Sequence, residues 1–145
     1  MVGIVTKCYE QFRLITYRSM FRLLRERDSS LSAAEAFSVD VIYLLQQPTI
    51  KEFADCLGIS QPNATYKVNH LIQKGYVEKI PSQEDRREIH LQVTDKYMRY
   101  WQGGNEALSE GLRRLENRFT PQEMETFSRV IRALAETLPD RTANL

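Results

Sequence analysis

The sequence predicts a mainly α-helical fold with a small β-sheet of two or three strands. Apolar residues recur at three- and four-residue steps over most of the 145 residues, as they do in amphipathic helices. Three Ser/Thr-x-x-Glu capping boxes mark helix starts, and two short alternating segments flank a polar loop. A chain of this length is expected to form a single domain, 1–145.

Composition narrows the class of protein. Apolar residues make up 42% and charged residues 27%, which is ordinary for a soluble globular protein. No stretch approaches the ~20 consecutive apolar residues that a membrane span needs. Residues 1–10 lack the apolar run and cleavage site of a signal peptide. We therefore expect a cytoplasmic protein without a membrane partner.

Few residues suit metal binding or catalysis. Cys8 and Cys56 are too few for a disulfide scaffold, and His70 and His90 form no ligand cluster with them. A Gly-rich phosphate loop and a Ser-His-Asp arrangement are not recognisable. We therefore expect neither enzyme activity nor a metal or cofactor.

The first part of the chain predicts two helices. Residues 4–27 carry an apolar stripe at helical spacing. The second helix begins at the capping box of Ser32 and Glu35, which explains Glu35 better than a catalytic carboxylate pair does. This helix ends before Pro48. The side chains expected to point inward are Phe37, Val41, Leu44 and Leu45.

Two further helices follow closely. Thr49 opens a short helix that ends at Gly58, the usual residue for a left-handed helix stop. Ser60 caps the next helix, which runs to Lys74 with Pro62 in its first turn. Its apolar stripe consists of Ala64, Val68, Leu71 and Ile72.

The remaining elements are two strands and two helices. Residues 76–80 and 88–93 alternate and are predicted strands, separated by a polar loop. Thr94 and Asp95 open a long helix that Gly103-Gly104 should weaken. The capping box at Thr120 opens the last helix.

This order of elements is typical of a winged helix-turn-helix, in which the second helix enters the major groove of DNA. Asn63 or Gln61 could pair with adenine, and Thr65 could meet a thymine methyl group. Lys67 and His70 suit phosphate contacts. The net charge of +1 excludes a histone-like polyanion binder, but residues 56–77 contain no carboxylate, as expected of a surface that faces phosphates. The alternative is an ordinary amphipathic surface helix. The candidate DNA-binding residues are Ser60, Gln61, Pro62, Asn63, Thr65, Tyr66, Lys67, His70, Asp85, Arg86 and Arg87.

Residues 49–97 resemble the MarR family of bacterial transcription regulators. The segments that carry the resemblance are Thr49-Ile-Lys-Glu-Phe-Ala54, Leu57-Gly-Ile-Ser60, Leu71-Ile-Gln-Lys-Gly-Tyr-Val77, Asp85-Arg-Arg87 and Ile89-His-Leu-Gln-Val-Thr94. The resemblance implies that Arg87 at the wing tip enters the minor groove and that Asp85 holds it in place. Tyr66, Lys67 and Tyr97 depart from the family pattern, which bears on the base pairs that are read.

The resemblance also implies the assembly and mode of action. The winged lobe would span 31–100, and the helices in 1–28 and 101–138 would pair with a second copy. A homodimer of this kind binds a palindromic operator in double-stranded DNA and is usually a repressor. An effector that moves the dimer helices would change the operator affinity. The rival function is a winged helix used for protein–protein contact.

The effector and the cysteines leave alternatives open. Cys8 could be a redox sensor, although its helical phase favours a buried thiol, and Cys56 suits a small core residue. The segment 32–42 is similar to family regulators of fatty-acid synthesis that respond to protein-carried acyl chains. An anionic effector could meet Arg13, Arg18, Arg22 and Arg25. An apolar effector could meet the aromatic residues, which could equally form core: Tyr9, Phe12, Tyr17, Phe37, Tyr43 and Trp101.

Overall fold

The structure is a computed structural model that describes residues 1–25, 30–82 and 87–139, with the side chains of 100–105 left aside. Within these residues it is mainly helical with one antiparallel pair of strands, which confirms the predicted fold class. The elements are α1 (Val2–Arg25), α2 (Ala33–Leu45), α3 (Ile50–Leu57), α4 (Gln61–Gln73), β1 (Val77–Pro81), β2 (Ile89–Val93), α5 (Asp95–Glu116) and α6 (Pro121–Thr137).

The capping boxes are formed as predicted. At the start of α2 the backbone N–H of Ser32 donates to Glu35 Oε2 at 2.7 Å, and the N–H of Glu35 donates to Ser32 Oγ at 3.3 Å. The same reciprocal pattern begins α3 at Thr49 and α6 at Thr120. At α5 the hydroxyl of Thr94 instead donates to the carbonyl oxygen of Gly75 at 2.6 Å, so it ties this helix to the end of α4.

The hydrophobic core lies between α2, α3, α4 and the sheet. Phe53, Val39, Val68 and Leu91 have no exposed surface at its centre. The α3 and α4 helices pack against each other, while α2 packs against both α4 and β2. This core is what holds α4 at a defined angle on the surface.

The sheet is a hairpin that is attached to the rest of the lobe. Val77 pairs with Val93 and Pro81 with Ile89, which confirms the two predicted strands to within a residue. An isolated bridge joins Thr49 to His90, and the N–H of Leu91 donates to the carbonyl oxygen of Pro48 at 2.8 Å. The hairpin is therefore a wing anchored on the α2–α3 connection.

The predicted inward face of α2 is wrong for Phe37 and Leu44, whereas Val41 and Leu45 are half-buried. Phe37 and Leu44 are each 52% exposed, and the core side is formed by Ala36, Val39 and Ile42. The helix is apolar on most of its circumference, so spacing alone does not select the face that is buried.

The outer helices keep much of their apolar surface in solvent. All of α6 is described, and none of its side chains is buried. In α1 only the C-terminal part reaches the core, through Leu23 and the half-buried Met20 and Leu24. None of the helices in the described part of the chain combines the length and the apolar character that a membrane span requires. The large exposed apolar residues of α1, α5 and α6 and the turn between α5 and α6 include Val5, Tyr9, Phe12, Phe21, Leu108, Leu112, Phe119, Phe127, Val130, Ile131 and Leu134.

Candidate nucleic-acid interface

The turn between α3 and α4 determines how α4 is presented. Gly58 has φ +62°, a left-handed conformation that a side chain would strain, and its N–H donates to the carbonyl oxygen of Asp55 at 3.1 Å. Two residues later Ser60 Oγ accepts from the N–H of Asn63 and begins α4. Gly58 and Ser60 thus have the roles that the sequence predicted.

The two faces of α4 are sharply different. Ala64, Val68 and Leu71 are buried, which confirms the predicted inner stripe. The other side is polar, lacks carboxylates and faces solvent. The predicted DNA-contacting residues on α4 and its cap are thus brought together on one surface: Ser60, Gln61, Pro62, Asn63 and Tyr66 are exposed, and Thr65, Lys67 and His70 are half-buried at the flanks.

An aromatic pair lies on the exposed side of α4. The rings of Tyr66 and His70 have centroids 4.4 Å apart at an interplanar angle of 52°. The hydroxyl of the neighbouring Thr65 donates to the carbonyl oxygen of Gln61 at 2.9 Å. The pair was not predicted, although the spacing of four residues between Tyr66 and His70 is the helical signal for such a contact.

The C-terminal end of α4 is tied to the start of α2. Lys74 Nζ donates to the two carboxylate oxygens of Glu35 at 2.7 and 2.8 Å and to the carbonyl oxygen of Ser30 at 2.6 Å. Partial burial would raise the pKa of Glu35, but hydrogen bonds from Lys74 and Ser32 outweigh it and lower this pKa. The sequence pointed to the capping role of Glu35 but not to this ion pair.

A buried hydrogen bond joins α2 to α5. The hydroxyl of Tyr97 donates to Asp40 Oδ1 at 2.6 Å, and both side chains are largely removed from solvent. Burial raises the pKa of Asp40, although the hydrogen bond from Tyr97 opposes it. Burial, together with the charge of Asp40, also raises the pKa of Tyr97, so the hydroxyl remains a donor. Asp40 is therefore not paired with Glu35 for acid–base chemistry.

The wing carries Arg87 on its exposed edge. Its predicted partner Asp85 and the further DNA-binding candidate Arg86 lie outside the described residues. Further along, His90 Nδ1 lies within hydrogen-bond distance of the carbonyl oxygen of Gln47, and its Nε2 is 3.3 Å from Glu88 Oε2. The hydrogen bond to Gln47 is the main reason why the pKa of His90 is raised.

Neither cysteine is part of the core. Cys8 on α1 and Cys56 on α3 are both exposed, so the interpretation of both as buried thiols is wrong for the single chain. The apolar stripe that contains Cys8 points away from the lobe, which its helical phase could not reveal. Among the described residues, no group of three or more His, Cys, Asp or Glu side chains is placed to hold a metal ion.

Most of the predicted aromatic residues do not form core either, although Tyr43 is half-buried against it. Tyr9, Phe12, Tyr17 and Phe37 are each at least 40% exposed. Arg13 lies over the rings of Tyr9 and Tyr17, 5.6 and 5.7 Å from their centroids. The side chain of Trp101 lies outside those described. The surface of α1 is thus apolar and aromatic with cations beside it.

Comparison with known proteins identifies relatives in one family. The sequence model of the MarR family matches residues 40–88. YpoP of Bacillus subtilis, a helix-turn-helix-type transcriptional regulator, is 30% identical over 115 residues, which are 75% of this chain and 81% of YpoP. The transcriptional repressor MprA of Escherichia coli is 39% identical over 61 residues, 42% of this chain and 31% of MprA.

Solved structures share the fold. FabT of Streptococcus pneumoniae, crystallised in complex with DNA, is 21% identical and has a TM-score of 0.53, covering 92% of this chain and 94% of FabT. The transcriptional regulator Tm0710 of Thermotoga maritima is 18% identical with a TM-score of 0.55, covering 94% of each chain. These likenesses extend over the outer helices as well as the winged lobe.

Proposed function

The chain is a DNA-binding transcriptional regulator of the MarR family, and we propose that it is a repressor that binds a palindromic operator as a homodimer. We further propose that an effector modulates its affinity for this operator. The observation that carries the proposal is the exposed polar face of α4, held out from the lobe by Ala64, Val68 and Leu71 on its other side.

Charge supports DNA as the ligand of this face. No carboxylate occurs between Cys56 and Val77, while Lys67 and His70 flank the exposed side of α4. A surface free of negative charge approaches phosphates without repulsion. FabT was crystallised with DNA, which supports DNA as the ligand of this chain. MprA is named a repressor, which supports the proposed role in repression.

The outer helices support a homodimer. No side chain of α6 is buried, although Phe127, Ile131 and Leu134 recur at helical spacing on one side. An isolated helix of this length is marginal in water unless its apolar face packs against something. A second copy of the chain offers the same unpaired stripes and satisfies both copies at once.

A symmetric dimer implies a palindromic operator. Its two α4 helices must lie roughly 34–36 Å apart to enter successive major grooves on one side of the duplex. An effector that moves α1 and α5 would change this spacing and thereby weaken binding. Arg13 on α1 suits an anionic effector, and the exposed aromatic rings beside it, such as Tyr9, suit an apolar one.

The proposal assigns roles to individual side chains. Asn63 on the exposed start of α4 is proposed to read a base edge, while Lys67 contacts a phosphate. In the wing, Arg87 is proposed to enter the minor groove with Asp85 holding its guanidinium. Narrow minor grooves concentrate negative potential and attract arginine.

Selection of duplexes from a random DNA pool tests this function. We expect two inverted half-sites about one helical turn apart. Asn63→Ala should relax preference at one base pair per half-site, whereas Lys67→Ala should weaken all duplexes alike and flatten the dependence on salt by about one unit per site. A pool without enriched sequences, or binding insensitive to salt, would favour the rival function of protein–protein contact.

The redox alternative has its own test. Cys8 is exposed in the single chain and lies on the α1 stripe proposed to pair with a second copy. If Cys8 is a sensor, mild oxidation should release the operator from the wild type but not from Cys8→Ser. Equal operator affinity before and after oxidation would leave Cys8 without a sensory role.

A further inference from the structure

Tyr66 is unusual among the residues that α4 presents to solvent. Its side chain is 64% exposed, and it lies on the side of the helix opposite Ala64 and Val68, which have no exposed surface. The surrounding exposed residues are Pro62, Asn63, Asn69 and Gln73, and three of these four carry polar amides. A large ring held in water on such a face gains free energy when a partner covers it.

The ring of Tyr66 is supported on one side. His70 lies one turn further along, with ring centroids 4.4 Å apart. Side chains of a helix lean toward its N-terminus, so Tyr66 extends over the first turns of α4, the part of a recognition helix that meets base edges. His70 packs behind it and limits the directions that the Tyr66 ring can take.

Thr65, the other candidate for an apolar contact with DNA, is less well placed. Its hydroxyl donates to the carbonyl oxygen of Gln61 at 2.9 Å, and the side chain is half-buried at the flank of α4. Tyr66, in contrast, is exposed on the side of α4 opposite its buried stripe. The apolar contact with a base therefore belongs to residue 66 rather than 65.

We infer that the ring of Tyr66 recognises the C5-methyl group of a thymine in each half-site, and that His70 is its positioning residue. This inference rests on the proposed function, because it assumes that α4 enters the major groove. The thymine methyl is the apolar group that base pairs display there. An aromatic ring offers it apolar contact and cannot offer the donor–acceptor pairs that guanine or adenine would require.

Replacing thymine by deoxyuridine in the selected operator tests the inference. This change removes one methyl group and leaves base pairing intact. When this thymine is replaced in one half-site only, we expect the wild-type Kd to rise about fourfold, the ratio that corresponds to burial of one CH2-sized group. Changing that thymine in both half-sites should raise the Kd about sixteenfold.

Variants of α4 assign the effect to a side chain. For each variant, the Kd for the deoxyuridine operator is divided by the Kd for the thymine operator. This ratio should fall to one in Tyr66→Ala and stay near the wild-type ratio in Tyr66→Phe, which keeps the ring. Thr65→Ser removes the methyl group of Thr65 but keeps its hydroxyl, and it should leave the ratio unchanged. His70→Ala should lower the ratio and His70→Phe should restore it, whatever either does to overall affinity.

Three results would overturn the inference. One is that no thymine shows a ratio that depends on residue 66. Another is that Thr65→Ser, rather than Tyr66→Ala, abolishes the ratio. The third is that Tyr66→Phe abolishes it, which would assign the contact to the hydroxyl. Failure to select any specific duplex would instead count against the proposed function, so the two failures are distinguishable.

Discussion

The winged lobe and the outer helices of this chain bury their apolar residues to very different extents. In the lobe, Phe53, Val68 and Leu91 have no exposed surface. In α6, Phe127, Ile131 and Leu134 are 40–46% exposed although their spacing is as regular. Amphipathic spacing is thus equally clear in both regions. Only in the lobe, however, do other parts of the same chain cover these apolar side chains.

This difference indicates that the two regions have different roles, one in positioning α4 and the other in assembly. The lobe holds α4 at a fixed angle because its core is complete within one chain. The outer helices leave their apolar stripes exposed within one chain, and in the proposed homodimer a second copy would cover them. The half-buried contact of Lys74 with Glu35 joins α4 to α2 within the lobe, and the buried contact of Tyr97 with Asp40 joins α2 to α5.

The largest contrast is expected between two phenylalanines. Phe53→Ala should lower the free energy of unfolding by about 3–5 kcal/mol, because it leaves a cavity in the closed core. Phe127→Ala deletes the same group from α6, and at concentrations where the chain is monomeric it should cost under about 1 kcal/mol. Urea unfolding of both variants measures this. Equal losses in dilute protein would mean that α6 is stabilised within its own chain.

A charge on α6 should separate the copies. Ile131→Asp is expected to weaken dimerisation by on the order of 100-fold, about 3 kcal/mol, because a carboxylate would enter an apolar interface. Arg132→Asp on the other side of α6 is the matched control and should leave the dimer intact. Sedimentation at micromolar concentration measures both. A wild-type protein that sediments as a 17.0 kDa monomer would contradict the proposal that the outer helices pair with a second copy.

The ion pair between Lys74 and Glu35 should contribute less. Glu35→Gln is expected to cost about 1 kcal/mol at neutral pH, a low value for a charged hydrogen bond because both side chains are partly in water. Since the pKa of Glu35 is lowered on folding, its contribution exists above the ordinary pKa and is lost as pH falls through the folded value.

The cost of Glu35→Gln should therefore shrink in acid, which urea unfolding between neutral pH and pH values below the ordinary range of a glutamate would show. The exposed pair of Lys51 and Asp55 on α3 provides the control, because Asp55→Asn should have almost no effect at any pH. If Glu35→Gln lowered the free energy of unfolding by the same amount at every pH, its effect would be due to packing and not to charge.

The smallest effect concerns Asp40 and has the opposite sign. Because burial raises its pKa on folding, the folded chain binds its proton more tightly, and stability falls as pH rises from the ordinary to the raised value. Asp40→Asn keeps an acceptor for Tyr97 without the charge. Relative to wild type it should gain up to about 1 kcal/mol of stability over this pH interval. A difference that is independent of pH would show that Asp40 does not titrate there.

Local signals predicted the elements of the fold well. The capping boxes at Ser32, Thr49 and Thr120 involve groups three residues apart, so they form wherever the chain turns into a helix. The buried face of α4 was predictable because its polar and apolar sides are distinct. The face of α2 was not, because a helix that is apolar nearly all round presents no preferred side.

The exposure of the α4 candidates on one surface was predictable for the same local reason, since these residues lie within the short segment from Ser60 to His70. The exposure of Cys8 and Cys56 was not, because a helical stripe has the same spacing whether or not the chain itself covers it. That distinction depends on where α1 and α3 pack.

The order of the helices, the turn at Gly58 and the two-sided character of α4 could all be predicted from local sequence. Each of these depends on backbone preferences and hydrogen bonds within a few residues. The tertiary structure alone decided which side of α2 is buried and that Lys74 meets Glu35 and Tyr97 meets Asp40, across 39 and 57 residues. Such contacts depend on how whole helices pack, because the free energy gained by burial is shared among surfaces that lie far apart in the chain.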